Sequence, residues 1–274
     1  MQSDGNVKFT LPLADGLAVE AVWYGSGTLC VSCQAGCAVG CLFCASGSRG
    51  LRRHLTEQEM AAQLVAARRR GLALCRVTLS GIGEPLHNPL AVGAFMAACR
   101  QQGLPVSLTT IGGPLPRLAE FLALPHNGLM LSLHAGTAAT HRRLVPGGPD
   151  FEELWALLGE LLPRLSRRRR RKVGINYLLL AGVNDTPVEL AALVDRLRPF
   201  PEFTIHLLTC NPVDGSPFAS PSPAAVDAVH QLLAGRGIDV RRSNRWRQQA
   251  AGGCGTLFVQ ALDGHDVEIP PGMC

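Results

Sequence analysis

The sequence of 274 residues lacks the long apolar run that a membrane-spanning helix requires, because no window approaches about 18 uninterrupted apolar residues. Insertion into a membrane is therefore excluded. The opening stretch MQSDGNVKFTLPLADG lacks the basic and apolar regions of a secretory leader. The ten cysteines are thus not expected to form the disulfide framework of a small secreted protein. We expect a cytoplasmic chain whose thiols are reduced.

Internal repeats and obvious linkers are also missing from the sequence. Hydrophobic residues make up 47% of the chain, enough to bury a sizeable core, so a disordered protein is excluded. The simplest organisation is one catalytic domain, residues 28–274, preceded by a short N-terminal segment, residues 1–27.

Short apolar runs alternate with alanine-rich and leucine-rich stretches of helical character along most of the chain. The runs predict strands at 75–81, 104–111, 128–135, 173–182 and 203–210, and the stretches predict helices at 88–103, 114–124, 150–165, 186–200 and 222–237. This alternation indicates right-handed βαβ units and a parallel sheet. About six units are too few for a closed eight-stranded barrel. We therefore predict an α/β fold, an open partial β/α barrel of about six parallel strands, with its site at the carboxyl ends of the strands.

The net charge of +5 is unevenly distributed. One basic cluster lies at 164–172 and a second at 236–247. Guanidinium groups bind phosphates bidentately, so either cluster could contact nucleic acid. The alternative is that both clusters are solvated surface, because basic runs are common and unspecific.

The stretch CQAGCAVGCLFC carries the most informative spacing in the chain. Cys37, Cys41 and Cys44 form a C-x3-C-x2-C pattern on which three thiolates can converge. A structural zinc site uses four ligands, whereas an iron-sulfur cube held by three cysteines leaves one iron open to a small molecule. Zinc remains an alternative, because Cys30 and Cys33 form a second C-x2-C pair with Cys41 and Cys44. Their seven-residue gap is short for a zinc ribbon, and Cys37 would be left over.

Three turns at predicted strand ends carry polar residues suited to ligand binding. In SGIGEP, Gly83 lets backbone approach a ligand and Glu84 can accept from an ammonium group. In SLHA, Ser132 and His134 could contact a ribose or a carboxylate, and in CNPVDG, Asn211 offers both a donor and an acceptor. Each turn alone is weak evidence. Together, at the carboxyl edge of one sheet, they predict a single site.

The chain resembles the RlmN/Cfr family of radical SAM RNA methyltransferases from about Glu20 to Leu257. The stretches GTLCVSCQAGCAVGCLFC, GIGEPLHN, SLHAGTAATHRRLVP, LAGVND, NPVDGSPF and GCGTL occur in the family's order. The resemblance implies a 4Fe-4S cluster on the three cysteines and methylation of an adenine ring carbon in ribosomal or transfer RNA. It implies that S-adenosylmethionine binds at the three turns and at Thr110. It also implies an electron donor such as flavodoxin.

The resemblance assigns roles to three further residues. Cys254 in GCGTL matches a cysteine that carries the methyl group to the base, and Cys30 matches the cysteine that then attacks Cys254 and releases the product. Glu20 matches a glutamate placed as proton acceptor. Without the resemblance, both cysteines could simply be packing residues. Cys75, Cys99 and Cys210 match no role and are expected to pack in the interior.

The chain departs from the family pattern where RNA would be gripped. A helical N-terminal domain usual in the family is not found before the cysteine loop, the acidic residues usual before Cys254 are replaced by RWRQQAAGG, and Cys33 replaces a usual serine. The arginine run at 167–171 is a candidate substitute grip. The alternatives to an RNA substrate are the same chemistry on a small molecule or peptide, and a zinc-bound RNA-binding module without catalysis.

Overall fold

The strands are built on the apolar runs of the sequence. The computed structural model describes residues 5–243, 245–249 and 255–261. Its strands are β1 (Val7–Pro12), β2 (Leu17–Tyr24), β3 (Thr28–Val31), β4 (Gln34–Gly36), β5 (Leu51–His54), β6 (Arg76–Leu79), β7 (Val106–Thr110), β8 (Gly128–Ser132), β9 (Val173–Leu179), β10 (Thr204–Thr209), β11 (Asp239–Arg242) and β12 (Gln260–Ala261).

All strands except β4 and β5 belong to one sheet, in the order β1-β2-β3-β6-β7-β8-β9-β10-β11, with β12 added on β2. From β3 to β11 every neighbouring pair is parallel, whereas β1, β2 and β12 pair antiparallel at one edge. β4 and β5 form a separate hairpin beside the cysteine loop. The sheet is therefore a mostly parallel, open partial barrel, as the sequence predicts.

Helices connect successive parallel strands. They are α1 (Glu57–Arg69), α2 (Pro89–Gln101), α3 (Leu115–Ala123), α4 (Ala138–Leu144), α5 (Phe151–Leu161), α6 (Arg167–Arg170), α7 (Pro187–Leu197) and α8 (Pro223–Gly235). Side-chain caps fix several starts: Thr56 forms a capping box with Glu59 on α1, and Ser222 accepts from Ala225 N on α8. Among the described residues, none of these helices has the length and hydropathy to cross a bilayer.

The predicted strands from 75 to 210 and the five predicted helices all form, and each observed element is a few residues shorter than predicted. The first 27 residues contribute more than a leading segment, because β1 and β2 pair within the main sheet. Cys99 is buried in the core as predicted. Cys75, by contrast, is exposed just before β6, so its predicted place in the interior was wrong.

Candidate active site

One pocket opens where the parallel strands end at their carboxyl edge. It is lined by the cysteine loop, by the turns after β6, β7, β8 and β10, and by the last residues of β9. Nine residues proposed from the sequence share it: Cys37, Cys41, Cys44, Gly83, Glu84, Thr110, Ser132, His134 and Asn211. Parallel strands deliver these residues to one place although they are spread over more than half of the chain.

The cysteine loop is held by backbone contacts on both sides. Cys37 N donates to Gly50 O at 3.2 Å, and Leu42 N donates to Leu144 O at the end of α4 at 3.1 Å. Burial raises the pKa of the Cys37 thiol to about 12, and that of Cys41 well above its usual range. Such thiols become thiolates only when a cation stabilises them. Three half-buried cysteines whose side chains line one pocket are a donor set that suits an iron-sulfur cluster.

The zinc alternative is not supported by the placement of the four sulfurs. Cys41 and Cys44 line the pocket, whereas the Cys33 thiol points to Ile82 O at 3.7 Å and the Cys30 thiol lies 3.3 Å from Ser80 Oγ. Within the described ranges, no three His, Cys, Asp or Glu side chains converge as ligands of one metal ion. A four-iron cube is larger than one ion, so its three ligands need not approach each other so closely.

Glu84 is the buried carboxyl group of the pocket lining. Its carboxylate accepts from Thr110 Oγ1 at 2.5 Å, from Ile111 N at 2.9 Å and from Leu86 N at 3.0 Å. Burial raises its pKa to about 7, although the three donors favour the ionised form. Gly83 stands before it with φ +106°, and an added Cβ would lie 2.6 Å from Gln34 Cβ. Gly83 therefore allows close packing against Gln34 and also forms part of the pocket wall.

We expect the free energy of unfolding of the protein without S-adenosylmethionine to fall between about pH 5 and about pH 8. The pKa of Glu84 is about 7 in the fold against 4.5 as its ordinary value, so the folded chain holds this proton more tightly than the unfolded chain. As the pH rises through the pKa of Glu84, this contribution to the free energy of unfolding is lost. It amounts to on the order of 3 kcal/mol at most. Urea titrations measure the change, and Glu84→Gln should make it smaller. An equal pH dependence in the variant would contradict the assignment.

His134 lines the pocket, and its ring is held by a backbone hydrogen bond. Leu178 N donates to its Nδ1 at 3.0 Å, so the proton of the neutral ring resides on Nε2. Burial lowers its pKa to about 3, which keeps the ring neutral. Phe43 packs edge-on against it with ring centroids 5.0 Å apart. Asn184 supports the arrangement by donating to the backbone oxygens of His134 and Leu178.

The pocket contains residues that the sequence did not single out. Asn176 on β9 is 2% exposed, and its Oδ1 has no hydrogen-bond partner in the described part of the chain. Cys210 packs against the hydrophobic cluster that contains Leu178 and Leu208, as expected of a packing residue, and it also lines the pocket. Further polar residues of this group are Ser46, Ser80, Thr109 and Arg247. Asn176 lay within a recognised strand, and a polar residue inside an apolar run was the signal that could have identified it.

The three residues whose roles the resemblance implies differ in their position relative to the pocket. Cys30 is buried on β3 and reaches the pocket wall through Ser80. Cys254 lies outside the described residues, but Gly255, which follows it, lines the pocket. The buried carboxylate of Glu20 lies on β2 and is not among the side chains that line the pocket. It forms an ion pair with Lys8 at 2.9 Å and accepts from Phe258 N at 3.1 Å.

The arginine run at 167–171 lies at the amino-terminal ends of the parallel strands, opposite the pocket. It directly precedes β9, and Arg169 donates to the carbonyls of residues 122–124 at the end of α3. Arg170 pairs with Glu202. Part of the run therefore holds helices and loops together. The length of a five-residue strand, roughly 15 Å, separates this edge from the pocket.

Comparison with known proteins agrees with the resemblance seen in the sequence motifs. Residues 31–194 match the model of the Radical SAM superfamily. A probable dual-specificity RNA methyltransferase RlmN of a Synechococcus species is 36% identical, over 92% of this chain and 75% of its own length. A dual-specificity RNA methyltransferase RlmN of Solidesulfovibrio magneticus is 35% identical, over 94% and 76%. The crystal structure of a radical SAM methyltransferase from Sphaerobacter thermophilus superposes with a TM-score of 0.78 at 32% identity, covering 94% of this chain and 79% of that one.

Proposed function

Because the chain belongs to the radical SAM superfamily, and within it to the RlmN-type methyltransferases, we propose that it methylates an adenine ring carbon in ribosomal or transfer RNA. The observation that carries this proposal is that three half-buried cysteines and five polar residues line one pocket at the carboxyl edge of the sheet. The matching relatives named as RNA methyltransferases support the substrate class.

The pocket residues divide into two sets by their chemistry. The thiols of Cys37, Cys41 and Cys44 would hold the 4Fe-4S cluster, and Glu84, Thr110, Ser132, His134 and Asn211 would hold S-adenosylmethionine. When bound, this pair supplies a 5′-deoxyadenosyl radical after one-electron reduction by a donor such as flavodoxin. Glu84 offers a buried anionic group for the ammonium of the ligand, and His134 offers an Nε2 proton to an acceptor.

We assign the transfer of the methyl group to two cysteines of the chain. A ring carbon of adenine is a poor nucleophile, so Cys254 first takes the methyl group and then presents it to the base. Once the methyl group on the Cys254 sulfur has lost a hydrogen atom, its carbon adds to the base. The adduct returns the one electron that the donor supplied and loses the proton of the ring carbon, which leaves enzyme and RNA covalently joined. The Cys30 thiolate then attacks the Cys254 sulfur: a disulfide forms, the sulfur–carbon bond breaks with its electron pair on the carbon, and that carbon takes a proton to give the methylated base. The Cys30 thiol lies 3.3 Å from Ser80 Oγ, and Ser80 lines the pocket; this position supports the role of Cys30.

The RNA would meet the enzyme at the edge where the pocket opens. Arg142 and Arg143 are exposed in the last turn of α4, directly before Leu144, whose carbonyl bonds the cysteine loop. Neither has an acidic partner in the described part of the chain. We therefore infer that these two arginines, rather than the run at 167–171, bind phosphates flanking a base in the pocket.

We expect the double replacement Arg142→Gln and Arg143→Gln to raise the Kd for RNA about tenfold at fixed salt. The slope of log K against log salt should become shallower by about 0.7 for each phosphate that the variant no longer neutralises. The matched control replaces Arg167 and Arg168 by glutamine, which removes the same charge at the opposite edge. Filter binding with radiolabelled RNA measures the Kd and its salt dependence for both double variants. Equal weakening in the two double variants would refute the assigned interface.

The proposed activity is tested directly with total RNA. Protein reconstituted anaerobically with iron and sulfide is given S-adenosylmethionine, a reductant and the RNA. The RNA is then digested, and its nucleosides are separated by liquid chromatography and identified by mass spectrometry. A methyladenosine modified on ring carbon, absent without enzyme, is the expected product. Production of 5′-deoxyadenosine without any modified nucleoside would instead indicate a small-molecule or peptide substrate, and would overturn the RNA proposal.

A further inference from the structure

The last described stretch, residues 255–261, is fastened to the cysteine loop; we call it the closing segment. Ala45 N, next to Cys44, donates to Gly255 O at 2.8 Å, and Ser46 Oγ donates to Leu257 O at 2.7 Å. Gly255 has φ +82°, and an added Cβ would lie 3.5 Å from Phe43 O. The closing segment therefore leaves the pocket wall directly beside a cysteine of the loop, in a conformation that favours glycine.

The other side of the closing segment is fastened to β2 by Glu20. Its carboxylate accepts from Phe258 N at 3.1 Å and from Gln260 Nε2 at 3.4 Å, and it pairs with Lys8 at 2.9 Å. β12, the end of the segment, continues this contact by pairing antiparallel with β2. Glu20 is 1% exposed. A buried carboxylate is costly unless it is paired, and here the partners come from β1 and from the closing segment.

These contacts give Glu20 a different role from that of a proton acceptor. Each carboxylate oxygen already accepts from a donor, and the side chain is not part of the pocket lining. Ser46, in contrast, lines the pocket and fastens the same segment from the side of the cysteine loop. The two residues hold neighbouring backbone groups, at 257 and 258, from opposite directions.

We propose that Glu20 and Ser46 are positioning residues that clamp the closing segment between β2 and the cysteine loop, and thereby keep Gly255 in the pocket wall. The inference rests on the proposed function, because its purpose is to present the methyl-carrying Cys254 that immediately precedes Gly255. Misplacing a reacting group by about 1 Å can cost on the order of a hundredfold in rate. The clamp thus sets the rate of methyl transfer rather than the affinity for either ligand.

Four variants of the reconstituted holoenzyme test the clamp. Ser46→Ala removes the donor to Leu257, Glu20→Ala removes the acceptor for Phe258, and Glu20→Gln keeps an acceptor oxygen without the charge. Ser48→Ala is the matched control, because among the described residues Ser48 Oγ donates only to Ala45 O, within the same turn. The measurements are amide hydrogen exchange over 255–261, the Kd for S-adenosylmethionine, and kcat and KM for methylation of RNA.

We expect exchange in the closing segment to rise at least about tenfold, and kcat to fall at least about tenfold, in Ser46→Ala and Glu20→Ala. KM for RNA and the Kd for S-adenosylmethionine should stay within about twofold. Glu20→Gln and Ser48→Ala should behave like the parent protein. If Glu20→Ala fails to fold, Ser46→Ala and Glu20→Gln still decide the question.

Two results would overturn the clamp. Loss of kcat in Glu20→Gln with normal exchange would show that the carboxylate is a proton acceptor. Unchanged exchange and kcat in both Ser46→Ala and Glu20→Ala would show that neither residue positions the segment. Failure of the proposed function is recognised separately, since the parent protein would then methylate no RNA while the exchange measurement still reports on the clamp.

Discussion

Replacing Cys41 by alanine is expected to abolish both iron-sulfur loading and cleavage of S-adenosylmethionine. The Cys37, Cys41 and Cys44 thiols face one pocket, and a cube that keeps one iron open for the substrate has no protein ligand to spare. Cleavage should fall to background, at least about a thousandfold, as is usual when the catalytic group itself is removed. Iron and sulfide content, the absorbance of the reconstituted protein and 5′-deoxyadenosine formation measure the effect.

The control for this replacement is Cys99→Ala. Cys99 is also a cysteine, but it is buried on α2 in the core and does not line the pocket. Its replacement should lower the free energy of unfolding by about 1 kcal/mol and leave the iron content unchanged. Full iron and sulfide in Cys41→Ala, with S-adenosylmethionine still cleaved, would show that the cluster is held elsewhere.

Replacing Cys30 by alanine is expected to stop turnover while trapping RNA on the protein. In the proposed sequence of steps, Cys254 is covalently joined to the base until the Cys30 thiolate attacks its sulfur. Without that thiolate the adduct persists, and at most one equivalent of RNA is consumed. Denaturing gel electrophoresis with radiolabelled RNA would show a band that carries both protein and label, and mass spectrometry would locate the modified peptide at Cys254.

Cys33→Ala is the matched control for the trapping experiment. Cys33 is also buried, three residues from Cys30, but its thiol points to Ile82 O, whereas the Cys30 thiol contacts Ser80, which lines the pocket. This variant should turn over and show no stable adduct. Multiple turnovers by Cys30→Ala, or an adduct in Cys33→Ala alone, would assign the resolving role to another cysteine.

The sequence predicts the parallel part of the sheet well, because β6 to β10 are apolar runs separated by helices of clear period. The antiparallel edge was not predicted, although Val7–Pro12 alternates between buried and partly exposed residues as a strand with one buried face does. Its hairpin with β2 turns through Gly16 at φ +79°, another signal readable in the sequence. The β4–β5 hairpin is harder to predict, because its strands are only three and four residues long.

The predicted site residues are brought together because the motifs follow strands whose carboxyl ends meet. The sequence could not predict which contacts each side chain makes. Glu20 and Phe258 are 238 positions apart, and the pair exists only because the closing segment returns to β2. The arginine run illustrates the opposite case: its composition suggests phosphate binding, whereas its place before β9 puts it at the edge away from the pocket.

The most direct test of the central proposal, methyl transfer through a cysteine, uses S-adenosylmethionine whose methyl group carries three deuterium atoms. Removal of one hydrogen atom from the methylated cysteine predicts that 5′-deoxyadenosine gains one deuterium. The new methyl group on the adenine carbon should then retain two deuteriums and take its third hydrogen from solvent. A methyl group transferred with all three deuteriums, and no labelled 5′-deoxyadenosine, would contradict the account.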